Sequence, residues 1–94
     1  MELRNRIALV TGGARIGARV AIALAERGAD IALVYRRSVA DAERTADEVR
    51  RRGRRAFLYG ADLAQAAECR RVVEAVVADA GGVDVLVNMA SVYR

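Results

Sequence analysis

The chain has 94 residues, of which 54% are hydrophobic and 30% charged, with no proline and only four aromatic residues. Such a length and composition fit one small globular domain and exclude a disordered chain, and no apolar run approaches the roughly 18 residues of a membrane span. The net charge of +4 is carried by sixteen arginines with no lysine and no histidine, which removes histidine general-base, Schiff-base lysine and histidine-rich metal chemistry.

Met1 to Arg6 lacks the apolar core and small-residue cleavage site of a signal peptide. The single cysteine, Cys69, has no internal disulfide partner, and its spacing suggests the buried side of a helix. A cytoplasmic location is the expectation.

Four strand-like runs alternate with three helix-like runs. Ile7-Ala8-Leu9-Val10 is an unbroken apolar run, suited to a parallel strand covered on both faces. Thr11 to Gly17 is a glycine turn, and a helix follows to about Arg27 with Ile16, Val20, Ala23 and Leu24 at helical spacing; Gly28 stops it. Asp30–Tyr35 is the second strand. Ser38 opens a second helix, with Asp41 in a near capping box. Val39, Ala42, Ala46 and Val49 form its apolar stripe, and Asp47 and Arg51 stand at i, i+4 on the other face.

Arg55–Tyr59 is the third strand, followed by the loop Gly60-Ala61-Asp62-Leu63. The third helix covers roughly Ala64 to Ala80, with Cys69, Val72, Val73, Val76, Val77 and Ala80 on one face. Gly81 and Gly82 end it, and Val83–Asn88 is the fourth strand. Alternation of this kind predicts βαβ units in a parallel, doubly wound, three-layer α/β domain, with ligands at the carboxyl ends of the strands.

The turn after the first strand points to phosphate. Glycines permit close backbone approach, and the helix behind them offers unpaired N–H groups and a positive dipole end. A P-loop would need lysine and a hydroxyl where this chain has Ala18 and Arg19, so an NTPase is disfavoured. The end of the second strand discriminates between dinucleotides. NAD sites place a carboxylate there, whereas NADP sites use arginine for the 2′-phosphate. Here it reads Tyr35-Arg36-Arg37-Ser38, with two guanidiniums, a hydroxyl and no carboxylate. NADP(H) is therefore the expected cofactor.

The densest arginine group (Arg50, Arg51, Arg52, Arg54 and Arg55) falls at a helix C-terminus and the turn beyond, where cations favour the dipole. No aromatic side chain is interleaved for base stacking, so no nucleic-acid partner is expected. No metal site and no membrane contact are expected either.

Together these residues resemble the short-chain dehydrogenases/reductases over the whole chain. Thr11-Gly12-Gly13-Ala14-Arg15-Ile16-Gly17 resembles the family's Thr-Gly-x-x-x-Gly-x-Gly turn, one residue shorter and with Arg15 in place of the middle glycine. Asp62-Leu63 resembles the acidic segment that reads the adenine amino group. Asp84 to Asn88 resembles the fourth strand, and Asn88-Met89-Ala90-Ser91 the Asn-Asn-Ala-Gly segment beside the adenosine ribose. The resemblance implies a Rossmann-like sheet of order 3-2-1-4. It also implies cofactor contacts from Thr11, Gly12, Gly13, Arg15, Ile16, Gly17, Asp62, Leu63, Asn88, Ala90 and Ser91, beside Tyr35, Arg36, Arg37 and Ser38.

Arg15, the Tyr-x-Arg-Ser segment and Asn-x-Ala-Ser-x-Tyr resemble the pteridine-reductase-like branch. That likeness implies substrate contacts from Arg15, Ser91 and Tyr93, with a carbonyl or pterin-like substrate. The family's Tyr-x-x-x-Lys pair is absent: Tyr35 and Tyr59 are followed four residues later by Val39 and Leu63, and there is no lysine. Hydride transfer therefore needs more than these residues. Residues 1–94 are expected to be the N-terminal portion of one NADP-binding domain, truncated after the fourth strand and inactive alone. The complete protein is expected to be a homo-oligomer. The alternative is a non-catalytic nucleotide-binding half-domain acting by association with another chain.

Overall fold

The computed structural model describes residues 3–12 and 14–89. Its elements follow the expected alternation: β1 (Ile7–Thr11), α1 (Ala14–Glu26), β2 (Asp30–Tyr35), α2 (Val39–Arg51), β3 (Ala56–Gly60), α3 (Ala66–Ala80) and β4 (Val85–Asn88). All neighbouring strands pair in parallel, in the order β3-β2-β1-β4. This is the doubly wound, Rossmann-like α/β sheet expected from the sequence.

The two-residue period of the strands divides the core between the faces of the sheet. Ala8 and Val10 of β1 and Ile31 and Leu33 of β2 point to one side, where they meet Ala21 and Ala25 of α1 and Ala46 and Val49 of α2. Ile7, Leu9, Ala32 and Val34 point to the other, towards Val72 and Val76 of α3. Full burial of a side chain such as Ile31 or Val10 contributes about 1.5–3 kcal/mol.

The buried faces of the first two helices differ from the sequence expectation. In α1 the inward residues are Gly17, Ala21 and Ala25, whereas Ile16 is 62% exposed and Ala23 is exposed. The helix lies so close to the glycine turn that a Cβ on Gly17 would stand 2.5 Å from the Gly12 carbonyl oxygen. Only small residues fit that seam; Ile16 turns outward, while Leu24, nearer the end of the helix, packs part-buried against the core as its spacing predicts. In α2, Thr45 is buried and Val39 is exposed. The Thr45 hydroxyl donates to the Asp41 carbonyl at 3.1 Å, which satisfies it without a tertiary partner. Arg51 pairs with Glu48, and Asp47 with Arg50, so these bridges run at i, i+3 and not between Asp47 and Arg51.

Two boundaries shift for local reasons. Asp62 and Gln65 form a turn, with the Gln65 N–H donating to the Asp62 carbonyl, so α3 starts at Ala66 and not Ala64. Asp84 uses both main chain and side chain on Ile7: its N–H donates to the Ile7 carbonyl, and its carboxylate accepts from the Ile7 N–H at 2.8 Å. Regular pairing of β4 then begins at Val85.

The edges of the sheet are finished differently. The Ile31 N–H donates to the Arg55 carbonyl and the Ala61 N–H to the Tyr35 carbonyl, so the carbonyls of Ala56 and Gly60 point away from β2. Guanidiniums cover both: Arg50 donates to Ala56 O at 3.0 Å and Arg71 to Gly60 O at 2.8 Å. Along β4, Leu86 is 62% exposed, and Val73 and Val77 of α3 are exposed as well.

Candidate functional site

Strands β1, β2 and β4 end together, and the segments leaving them form the carboxyl edge of the sheet. The tips of β1 and β4 are joined twice. The Met89 N–H donates to the Thr11 carbonyl at 2.8 Å, and the Thr11 hydroxyl donates to Asn88 Oδ1 at 2.8 Å. Gly12 then turns the chain with φ 69°, a left-handed value that favours glycine. Helix α1 begins immediately beyond and carries no acidic residue in its first turn. Its positive dipole end is therefore uncompensated by carboxylates on its own chain segment.

Two cavities flank this edge. The smaller, about 390 Å³, lies on the α1/α2 side and is lined by Gly12, Gly17, Tyr35, Arg36, Arg37 and Ser38 among others. The larger, about 680 Å³, lies on the α3 side and is lined by Thr11, Gly12, Tyr35, Arg36, Asp62, Leu63 and Asn88 together with apolar residues such as Val34, Val73 and Leu86. Gly12, Val34, Tyr35 and Arg36 border both. The structure thus gathers Thr11, Gly12, Gly17, Tyr35, Arg36, Arg37, Ser38, Asp62, Leu63 and Asn88 around one edge. Arg15 and Ile16 sit exposed on the first turn of α1 and line neither cavity. Gly13, Ala90, Ser91 and Tyr93 lie outside the described residues.

The local chemistry of each group follows from its hydrogen bonds. Ser38 caps α2, its oxygen accepting from the Asp41 N–H at 3.3 Å, which leaves its hydroxyl proton free to donate. Asp62 is tethered by the Ala64 N–H, which donates to its Oδ1 at 3.1 Å, while Oδ2 faces the Arg36 guanidinium at 4.0 Å. Among the described residues Arg37 makes no ion pair. Tyr35 lies over Gly60, where an added Cβ would meet its ring at 3.2 Å.

Residues with no obvious ligand chemistry also line the cavities. Ala61 walls the larger one, and Asp41, Ala42 and Thr45 of α2 wall the smaller. The capping serine could have flagged Asp41 and its neighbours, because the first turns of a capped helix face the preceding strand end. Tyr59 takes no part. It donates to Asp79 at 2.8 Å, and burial together with that carboxylate pushes its phenol well above the ordinary range. A proton-transfer tyrosine needs the opposite shift.

Cys69 is only part-buried, its thiol 3.2 Å from the Leu63 carbonyl on the wall of the larger cavity. Each of the five clustered arginines has a carboxylate partner. Arg50 pairs with Asp47, Arg51 with Glu48, Arg52 with Glu26 and Glu48, and Arg54 and Arg55 with Asp30. Among the described residues no group of three or more His, Cys, Asp or Glu could hold a metal, and no helix is long and apolar enough to cross a membrane.

This donor set fits a dinucleotide phosphate. The glycine turn brings backbone close to the helix N-terminus, the arginines and Ser38 supply donors, and the larger cavity offers apolar walls with one carboxylate acceptor for a flat base.

Comparison with known proteins agrees with this geometry. Residues 6–94 match the family pattern described as short chain dehydrogenase. The chain is 41% identical over 95 residues to the short-chain dehydrogenase/reductase homolog YusS of Bacillus subtilis, covering all of this chain and 87% of that protein. A short-chain dehydrogenase from Burkholderia cenocepacia in complex with NADP superposes with a TM-score of 0.92 at 41% identity, and a blue fluorescent protein from a metagenomic library in complex with NADPH with 0.88 at 41%. Each alignment covers the whole of this chain but 39% of the solved one. Other curated relatives are spanned to 32–38% of their length. The chain belongs to the short-chain dehydrogenase/reductase family, whose fold it shares from its first strand to its fourth.

Proposed function

We propose that residues 1–94 form the N-terminal, cofactor-binding portion of a single NADP(H)-binding domain, and that the complete cytoplasmic enzyme, a homo-oligomer, reduces a carbonyl or imine. The observation that carries this reading is the end of β2. Arg36, Arg37 and Ser38 line the cavity beside Gly12 and Gly17, and the segment 35–38 that leaves the strand carries no carboxylate, the Asp41 carboxylate on the cavity wall being paired with Arg44. The two similar structures holding NADP and NADPH support it. When bound, the nicotinamide supplies the hydride. This chain's own residues hold the adenosine end: Arg37 and Ser38 donate to the 2′-phosphate, Gly12, Gly13 and the start of α1 face the pyrophosphate, and Asp62 accepts from the adenine amino group. Arg15 and Ile16 flank the turn, and Asn88, Ala90 and Ser91 line the ribose side.

A pterin-like substrate is the finer proposal, with Arg15, Ser91 and Tyr93 contacting its ring. It predicts that the complete gene product reduces a dihydropterin faster than a simple ketone of equal size; the reverse order refutes it.

The cofactor reading is tested on the purified chain by titration calorimetry. NADPH should bind more tightly than NADH, and Arg37→Ala should remove the difference. Equal affinities in the parent chain overturn the assignment. One observation favours the second reading, a non-catalytic half-domain that acts by associating with another chain: YusS, spanned to 87% by this chain, is of similar length. In that case the chain in its native host should co-purify with a larger complex while lacking reductase activity.

A further inference from the structure

Asp62 has two carboxylate oxygens with different commitments. Oδ1 accepts from the Ala64 N–H, which fixes the side chain at the head of the turn before α3. Oδ2 is left to face the Arg36 guanidinium at 4.0 Å, in a pair whose side chains are 65% and 37% exposed. Asp62 borders only the larger cavity, whereas Arg36 borders both. Oδ2, which accepts no hydrogen bond of its own among the described residues, is therefore the readier acceptor for a base amino group in the larger cavity, and it is the one that Arg36 faces. Arg36 is at the same time a cation within reach of a phosphate in the smaller cavity. One guanidinium in this position has two competing anions to serve.

We propose that Arg36 couples the two halves of the nucleotide site, an inference that rests on the NADP(H) reading above. A 2′-phosphate draws Arg36 away from Asp62, and the released Oδ2 accepts from the adenine amino group. Without that phosphate, Arg36 stays on Asp62 and the amino group competes with a cation for its acceptor. Arg37 has a different part. It borders only the smaller cavity and makes no ion pair among the described residues, so its attraction for phosphate is independent of the base. Arg37 sets how tightly phosphate binds, and Arg36, a positioning residue, makes recognition of the base depend on the phosphate.

A ligand cycle read by calorimetry tests this. Affinities are measured for NADP, NAD and their two hypoxanthine analogues, in which a carbonyl replaces the adenine amino group. In the parent chain the amino group should strengthen binding about two- to fivefold more in NADP than in NAD, the scale of an exposed ion pair. Arg36→Met should make the two effects equal, and Asp62→Asn, which removes the charge holding Arg36, should do so as well. Circular dichroism checks that both variants fold, and either one suffices. Equal amino-group effects in the parent chain, with NADP still preferred over NAD, overturn the coupling and leave the cofactor reading standing. Coupling that persists in the variants also overturns it. Failure to prefer NADP over NAD, or to bind any of the four, overturns both proposals.

Discussion

Strand β2 carries arginine chemistry at both its ends, and the two ends use it in opposite ways. At the start, Asp30 is 4% exposed and accepts from the Arg55 N–H at 3.0 Å and its guanidinium at 2.9 Å, while Arg54 approaches at 2.9 Å. There two guanidiniums share one buried carboxylate supplied by the chain itself, with Arg54 Nε left without a hydrogen-bond partner. At the finish, Arg36 reaches one exposed carboxylate at 4.0 Å, and Arg37 reaches none among the described residues. The first arrangement joins β2 to the turn before β3; the second leaves cationic donors beside open cavities. Arginine content alone therefore says little about ligands, and the anion opposite each guanidinium says much more.

Four experiments break or sharpen that contrast. The largest effect should come from Asp30→Asn, which removes the charge facing two guanidiniums and should cost about 2–3 kcal/mol in urea unfolding. The same carboxyl predicts a pH dependence. Burial pushes its pKa up, but the Arg55 hydrogen bonds and the charges of Arg54 and Arg55 outweigh this and hold it below 3.8. A depressed folded value means stabilisation that is complete above the unfolded pKa and lost as pH falls through the folded one. The parent chain should lose stability as pH drops below about 4, and Asp30→Asn should lack that component.

At the opposite end, Gly17→Ala should destabilise by about 1–3 kcal/mol and weaken NADPH binding, because its Cβ meets backbone at Gly12 rather than a side chain that could swing away. Melting without loss of affinity would separate the helix seam from the cofactor site. Arg37→Ala should leave urea stability unchanged within about 0.5 kcal/mol while weakening NADPH about tenfold and NADH little. A stability loss comparable to that of Asp30→Asn would mean the two ends of β2 are alike after all. The smallest effect belongs to Leu86→Gln, which should change unfolding free energy by less than about 0.5 kcal/mol, since Leu86 is 62% exposed.

The first two strands were legible because Ile7 to Val10 and Asp30 to Tyr35 are runs suited to a covered parallel sheet, whereas the strand order came from the resemblance to the family. The glycine turn and the strand-end arginines were legible because this topology sends every ligand to the same edge. Helix faces were less so. Periodicity marks Ile16 and Val39 as inward, yet the close approach of α1 selects Gly17, Ala21 and Ala25, and Thr45 is buried because its own helix satisfies its hydroxyl. Ion-pair partners were misread for a related reason. Arg51 can reach Asp47 or Glu48, and side-chain direction, which spacing does not encode, decides for Glu48. The wall residues Ala61 and Thr45 lack any ligand-binding signature and emerge only from the shape of the cavities.

The guanidiniums of Arg50 and Arg71 on the outer carbonyls of β3 close one side of the sheet to growth. A strand arriving at that side would have to displace two charged donors before its own N–H groups found acceptors. A fibre built by strand pairing needs two receptive sides per molecule, one to give and one to take, so these two side chains deny that route whatever lies beyond β4.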